Sequence, residues 1–134
     1  LDTNTRLKRV YLAGPPSMEA EADRERVVGI NEEELKVPGC ISRHMEDSGL
    51  PLYISLDKDI LNRSCAVTNW DQGETQLEDV LACIKEAASC RRIIGVDVCG
   101  EEPEQEGIRA SQINQNTNRE IICKLMEVCG ILCP

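Results

Sequence analysis

Leu52-Tyr-Ile-Ser-Leu-Asp-Lys-Asp-Ile-Leu61 and Arg92-Ile-Ile-Gly-Val-Asp-Val98 are the two stretches that decide the fold. The first is a β-rich run, Leu52 to Leu56, that ends in Asp57-Lys58-Asp59. The second is a near-continuous apolar run of strand length. Buried parallel strands have this character because helices cover both faces of their sheet. Between the two, Thr75-Gln-Leu-Glu78 has the spacing of a capping box. Leu77, Val80, Leu81, Ile84, Ala87 and Ala88 then recur on one helical face. A last helix, from about Ala110 to Cys129, lines up Ile113, Thr117, Ile121 and Leu125 and stops at Gly130. Strand, helix, strand, helix predicts an α/β fold with a parallel sheet.

Working back toward the N-terminus, Arg9-Val-Tyr-Leu-Ala13 reads as a short strand stopped by Gly14-Pro15-Pro16. Ser17 to Arg26 is polar nearly all round, which suits a solvated helix or an ordered loop. Val27-Val-Gly-Ile30 is apolar and brief. Asn31 and Glu34 have the spacing of a helix-opening cap, and Pro38-Gly39 ends that helix soon after. Ile41 to Ser48 reads as a second short helix, closed by Gly49 and Pro51. No repeat, low-complexity tract or linker divides the chain, so residues 1–134 read as a single domain.

Composition narrows the function. The 134 residues include 24 acidic and 15 basic side chains, a net charge of -9. A nucleic-acid binder needs a basic face, so none is expected as a partner. No apolar run approaches the ~20 residues of a membrane span and no signal-peptide core opens the chain, which predicts a cytoplasmic protein without a membrane partner. Tyr11, Tyr53 and Trp70 are the only aromatics, so the core must be aliphatic. Cys40, Cys65, Cys83, Cys90, Cys99, Cys123, Cys129 and Cys133 contain no CxxC pair. They are expected as reduced, small buried hydrophobes. A lone His44, expected exposed on its helix, and scattered cysteines do not make a zinc pattern. The first residue is Leu1 rather than Met, which points to a processed chain or a fragment.

Chemistry is expected beyond the carboxyl ends of parallel strands. Asp57 and Asp59 stand there, two residues apart, which in extended chain sends both carboxylates to one side. Two close carboxylates repel unless a cation lies between them, and hard divalent ions prefer oxygen ligands. Gly100-Glu101-Glu102 ends the neighbouring strand, joined by a right-handed crossover, and adds negative charge to the same rim. Asp97 either faces this site or is a buried acid that needs a partner. A D-x-D pair also serves as a turn former or cap. The apolar strand before it, the acids on the next strand and the loop of about sixteen residues after it favour the metal reading. That loop holds Trp70, read as an anchor packed on the core, with substrate contact as the alternative.

Ile54-Ser-Leu-Asp-Lys-Asp-Ile-Leu61, the helix opened by Thr75, and Ile94-Gly-Val-Asp-Val-Cys-Gly-Glu101 with its trailing helix resemble the C-terminal half of the arginase/ureohydrolase family. The likeness covers residues 50–130. It implies a three-layer α/β/α fold with a parallel sheet, here a partial domain, and a binuclear Mn2+ centre. In that family the metals activate water to attack a guanidinium or amidine carbon, because two cations lower the pKa of a shared water. By resemblance Asp57 matches the carboxylate that bridges both metals, Asp59 the next metal ligand, and Glu101 the glutamate that binds a small cationic or amide substrate. The family's other ligands and its proton-shuttling histidine come from earlier motifs, and His44 stands where neither belongs. Asn62-Arg63 replaces a common Asp-Pro, and Gln72-Gly73 a common Gly-Gly. The resemblance thus implies a C-terminal piece of a larger hydrolase, inactive alone, with no catalytic residue of its own. An unpaired sheet edge predicts either self-association, as in a homo-oligomer, or poor solubility.

Two rival readings stand beside it. An apolar strand before D-x-D also resembles haloacid-dehalogenase-type phosphotransferases, in which Asp57 would be the nucleophile and Mg2+ would assist. The other is a non-catalytic acidic α/β interaction module.

Overall fold

A computed structural model of the chain describes residues 6–14, 26–45, 49–101 and 108–130. β1 (Val10–Gly14) and β2 (Val27–Asn31) pair in parallel, with Val10 opposite Val27 and Gly14 opposite Asn31. The brief apolar stretch at Val27 is therefore a strand in its own right, with Ile30 buried beneath it. The cap expected at Asn31 forms in full. Glu34 N donates to Asn31 Oδ1 at 3.0 Å, and Asn31 N donates to Glu34 Oε2 at 3.0 Å. It opens α1 (Glu32–Leu35), whose first-turn acids suit the positive end of the helix dipole.

α2 (Cys40–His44) follows Gly39, whose φ of 83° is left-handed. This helix is shorter than the Ile41–Ser48 expectation, of which residues 46–48 lie outside the described residues. So do residues 17–25 of the polar stretch, while Arg26 is in a turn.

The second half is the strand–helix–strand–helix order read from the sequence. β3 (Leu52–Asp57) and β4 (Ile93–Cys99) pair in parallel, Ile54 opposite Val96 and Asp57 opposite Cys99. α3 (Leu77–Cys90) connects them and α4 (Ile108–Val128) follows. The protein is thus of the α/β class, with two two-stranded parallel sheets, β1-β2 and β3-β4.

One expected device is absent. Thr75 does not cap α3: the N-cap is Gln76 and makes no side-chain cap bond. Thr75 instead forms a parallel bridge with Leu61 and is fully buried. Backbone pairing (Thr75 N to Ile60 O, Asn62 N to Thr75 O) has claimed the residue one position before the helix could use it.

Leu56, Leu61, Ala66, Leu77, Val80, Ile84 and Ile121 make the main core, with Ile54, Ile60, Leu81 and Leu125 packed against it. Each fully buried Leu, Ile or Val among them contributes roughly 1.5–3 kcal/mol. On α4 the buried positions are Asn114, Thr117 and Ile121, so the inward stripe includes two polar residues that bind the loop after β3. Asn114 Oδ1 accepts from Val67 N and its Nδ2 donates to Val67 O, both at 2.9 Å, as a neighbouring strand would. Thr117 Oγ1 donates to Cys65 O. A smaller cluster of Ile30, Leu35 and Cys40 sits under β1-β2, with Ile60 and Cys83 also packed on it.

The sheet departs from expectation on its other side. On that side Tyr53, Ser55 and Asp57 of β3 and Asp97 and Cys99 of β4 are exposed; Ile94 and Val98, which share the face of Ile54 and Leu56, are exposed as well. Helices therefore do not cover both faces of β4 among the described residues. β3 itself alternates, with Leu52, Ile54 and Leu56 turned inward, which is the pattern of a sheet packed on one face. No helix among the described residues is long and apolar enough to cross a membrane.

Candidate functional site

The rim to which the sequence pointed is real as geometry: β3 and β4 are hydrogen-bonded neighbours, and their carboxyl ends meet at Asp57 and Cys99. Asp57 closes β3 and its Oδ1 accepts from Asp59 N at 3.1 Å, capping the short 3-10 turn Lys58–Ile60. Asp57 therefore has the turn-capping role that any D-x-D at a strand end can have, and its exposed carboxylate faces solvent as well. Asp59 is half-buried. Its Oδ1 is shielded from solvent and has no hydrogen-bond partner among the described residues. A carboxylate oxygen left in that state costs stability unless a cation, a proton donor or a water reaches it.

Lys58, between the two aspartates, was not singled out from the sequence. It is only 1% exposed. Its Nζ donates to Asn118 Oδ1 at 3.0 Å and pairs with Glu101 Oε2 at 3.1 Å. Asn118 Nδ2 completes the triangle, donating to Glu101 Oε1 and Oε2 at 3.3 and 3.2 Å. Burial pushes the Glu101 carboxyl up, but the Lys58 and Asn118 hydrogen bonds and the Lys58 charge outweigh it and hold it below its usual value. Glu101, matched by resemblance to a residue that binds a cationic substrate, is already bound to a cation of its own chain. The signal was available in the strand period: if residues 57 and 59 share one side, residue 58 takes the other, toward the core.

Asp97 resolves to the outward face. Ser55 Oγ donates to its Oδ2 at 2.8 Å, and a hydrogen bond to Asp97 pushes the neighbouring Tyr53 phenol up, with burial adding to it. Cys99 lies beside the aspartates; burial pushes its thiol up, and the charges of Asp57, Asp97 and Asp59 reinforce this. Glu102 lies outside the described residues. Gly100, at φ +77°, passes so close that an added Cβ would lie 2.3 Å from Asp57 Oδ1.

The loop after β3 is closed by hydrogen bonds among its own residues and to its neighbours. Asn62 Oδ1 accepts from Ser64 N, Ser64 Oγ and Cys65 N, a self-closed turn. Gln72 Nε2 donates to Leu61 O and Ala66 O at 3.1 and 2.9 Å. Gly73 N donates to Asp59 O at 2.6 Å. At Gly73 an added Cβ would lie 2.4 Å from Glu32 Oε1. Glu32, a second residue not foreseen, reaches across from α1 to accept from Glu74 N at 3.2 Å, while its Oε1 is buried without a partner among the described residues.

Three expectations fall. Trp70 is not packed on the core; it is 72% exposed. His44 is not an exposed helix residue but half-buried, with Nε2 3.3 Å from Glu34 Oε1. The cysteines are not all thiols: Cys40, Cys65, Cys83, Cys90, Cys99 and Cys129 are free, but Cys123 is disulfide-bonded.

Among the described residues no three His, Cys, Asp or Glu side chains are gathered so that they could hold a metal. Two carboxylates at one strand end remain, with the orphan oxygen of Asp59.

No family model matches the chain. No solved structure matches it either. Over 90 residues, 67% of this chain and 33% of the other, it is 32% identical to a protein of Thermotoga maritima described as "Uncharacterized protein". The chain thus spans about a third of the length of that relative.

Proposed function

We propose that this chain is a C-terminal portion of a metal-dependent C–N hydrolase of the arginase/ureohydrolase kind. In this reading Asp57 and Asp59 supply carboxylates to a Mn2+ centre whose remaining ligands belong to another part of a larger protein. The observation that carries it is Asp59 Oδ1, a buried carboxylate oxygen without a partner among the described residues, next to exposed Asp57 at the end of a parallel strand. An oxygen-rich pair of this type suits a hard divalent cation. The metal, when bound, would lower the pKa of a water so that it attacks as hydroxide. Asp57 and Asp59 would hold the cation. Glu101 would turn its negative charge to a small cationic or amide substrate, after releasing part of its hold on Lys58. The three-layer α/β/α arrangement belongs to the same proposal: among the described residues no helix covers the β3-β4 face that bears Tyr53, Ser55 and Asp97, which is where a further layer would pack.

Calorimetric titration with Mn2+ tests it. Weak binding is expected to the wild-type chain, sharply reduced in Asp59→Asn and in Asp57→Asn. Equal heats from wild type and both variants would exclude these aspartates as ligands.

A further inference from the structure

Away from the rim, α2 and α3 bring two free cysteines from distant parts of the sequence into contact. Cys40, the first residue of α2, is fully buried, and Cys83 lies in the middle of α3. Their sulfurs are 3.8 Å apart, and both thiols are free. Cys83 Sγ also reaches Leu35 O at 3.6 Å, which aims it into the α1–α2 corner. The helices that carry them are pinned independently: Ser42 N, in the first turn of α2, donates to Glu86 Oε1 of α3 at 2.8 Å. The two sulfurs thus meet on a fixed framework rather than at the ends of mobile loops. A disulfide needs an S–S separation of about 2.05 Å, so closure asks for a shift of under about 2 Å shared between two side chains.

We propose that Cys40 and Cys83 are a disulfide-forming site that fastens α2 to α3 reversibly. The oxidant is a small disulfide such as oxidised glutathione. The Cys83 thiolate, on the less buried side, attacks one glutathione sulfur and expels the other as a thiolate, which takes up a proton. Cys40, losing its own proton, then attacks the Cys83 sulfur and displaces the second glutathione. Two protein thiols become one disulfide, and one glutathione disulfide becomes two thiols. Burial pushes both thiols up, Cys83 to about 12 with the Cys40 charge adding to it. The exchange is therefore slow at neutral pH and accelerates as pH rises.

The test uses the full chain in its native state, equilibrated with glutathione from reducing to oxidising ratios. A non-reducing digest followed by mass spectrometry is expected to yield a peptide pair joined through Cys40 and Cys83, lost again on reduction. Because the bond joins positions 43 apart in the sequence, melting should rise by roughly 10 °C on oxidation. Because the Cys123 disulfide responds to the same glutathione ratios, Cys83→Ala is melted beside the wild type at each ratio, and the rise from the Cys40–Cys83 bond is the part that Cys83→Ala lacks. The proposal is overturned if the oxidised chain keeps native circular dichroism and no Cys40–Cys83 peptide pair forms. It is equally overturned if that pair forms only in denaturant.

Discussion

Removing Glu101 should hurt this protein more than removing Lys58, although the two are partners in one ion pair. The asymmetry follows from exposure: the Lys58 side chain is 1% exposed and that of Glu101 48%. In Lys58→Met the leftover carboxylate rehydrates and keeps Asn118, while an apolar chain of similar length fills the buried slot. Replacing buried charge with a well-fitting apolar group is often neutral, so the loss should stay within about 1 kcal/mol. In Glu101→Ala the ammonium stays buried with Asn118 Oδ1 as its remaining partner in that triangle. An uncompensated buried charge costs about 3–5 kcal/mol; the low end applies because Asn118 stays, and this corresponds to a melting point lower by roughly 10 °C. The double variant should behave like Lys58→Met alone, since no buried charge then remains. Urea and thermal unfolding followed by circular dichroism measure all three. The reasoning fails if Lys58→Met is as damaging as Glu101→Ala, or if Glu101→Ala is neutral.

Two further outcomes follow from local geometry. Burial pushes the Glu86 carboxyl up, but hydrogen bonds from Ser42, Ile41 and Gly39 prevail and hold it below 4.5. Its contribution is therefore complete above the unfolded value and lost as pH falls through the lower folded one. The stability gap between wild type and Glu86→Gln, read from urea midpoints, should be full at neutral pH and close as pH is taken below 4.5. Gly100→Ala should cost about 1–3 kcal/mol, because its φ is +77° and the new Cβ meets Asp57 Oδ1 and Lys58 N. Gly95→Ala meets only the ring edge of exposed Tyr53, which can swing away, so a loss within about 1 kcal/mol is expected. Comparable losses in the two glycine variants would show that the strand end is not rigid.

The elements of residues 50–130 were legible because their signals are dense. Leu77, Val80, Ile84 and Ala87 repeat at helical spacing and all four are buried. Asn31 and Glu34 announced their cap from three residues of spacing. Thr75 misled because the capping-box pattern is local, whereas the bridge to Leu61 that takes the residue is not. The strand character of Val27–Asn31 was hidden for the same reason: five residues acquire it from a partner, Val10–Gly14. At the rim, the aspartates were readable as a strand-end pair. Whether each oxygen is satisfied depends on packing that no spacing encodes. Lys58 was missed because a lysine between two acids reads as part of a charged turn. Only the inward direction of its position makes it a buried cation.

Ile60 lies one residue past Asp59 and packs in both apolar clusters, the one beneath β1-β2 and the one beneath β3-β4. It acts as a keystone. Two small parallel ribbons, each too slight to persist alone, share this wedge and so should come apart together, and the first place to feel either ribbon loosen is the turn that aims the acidic tips.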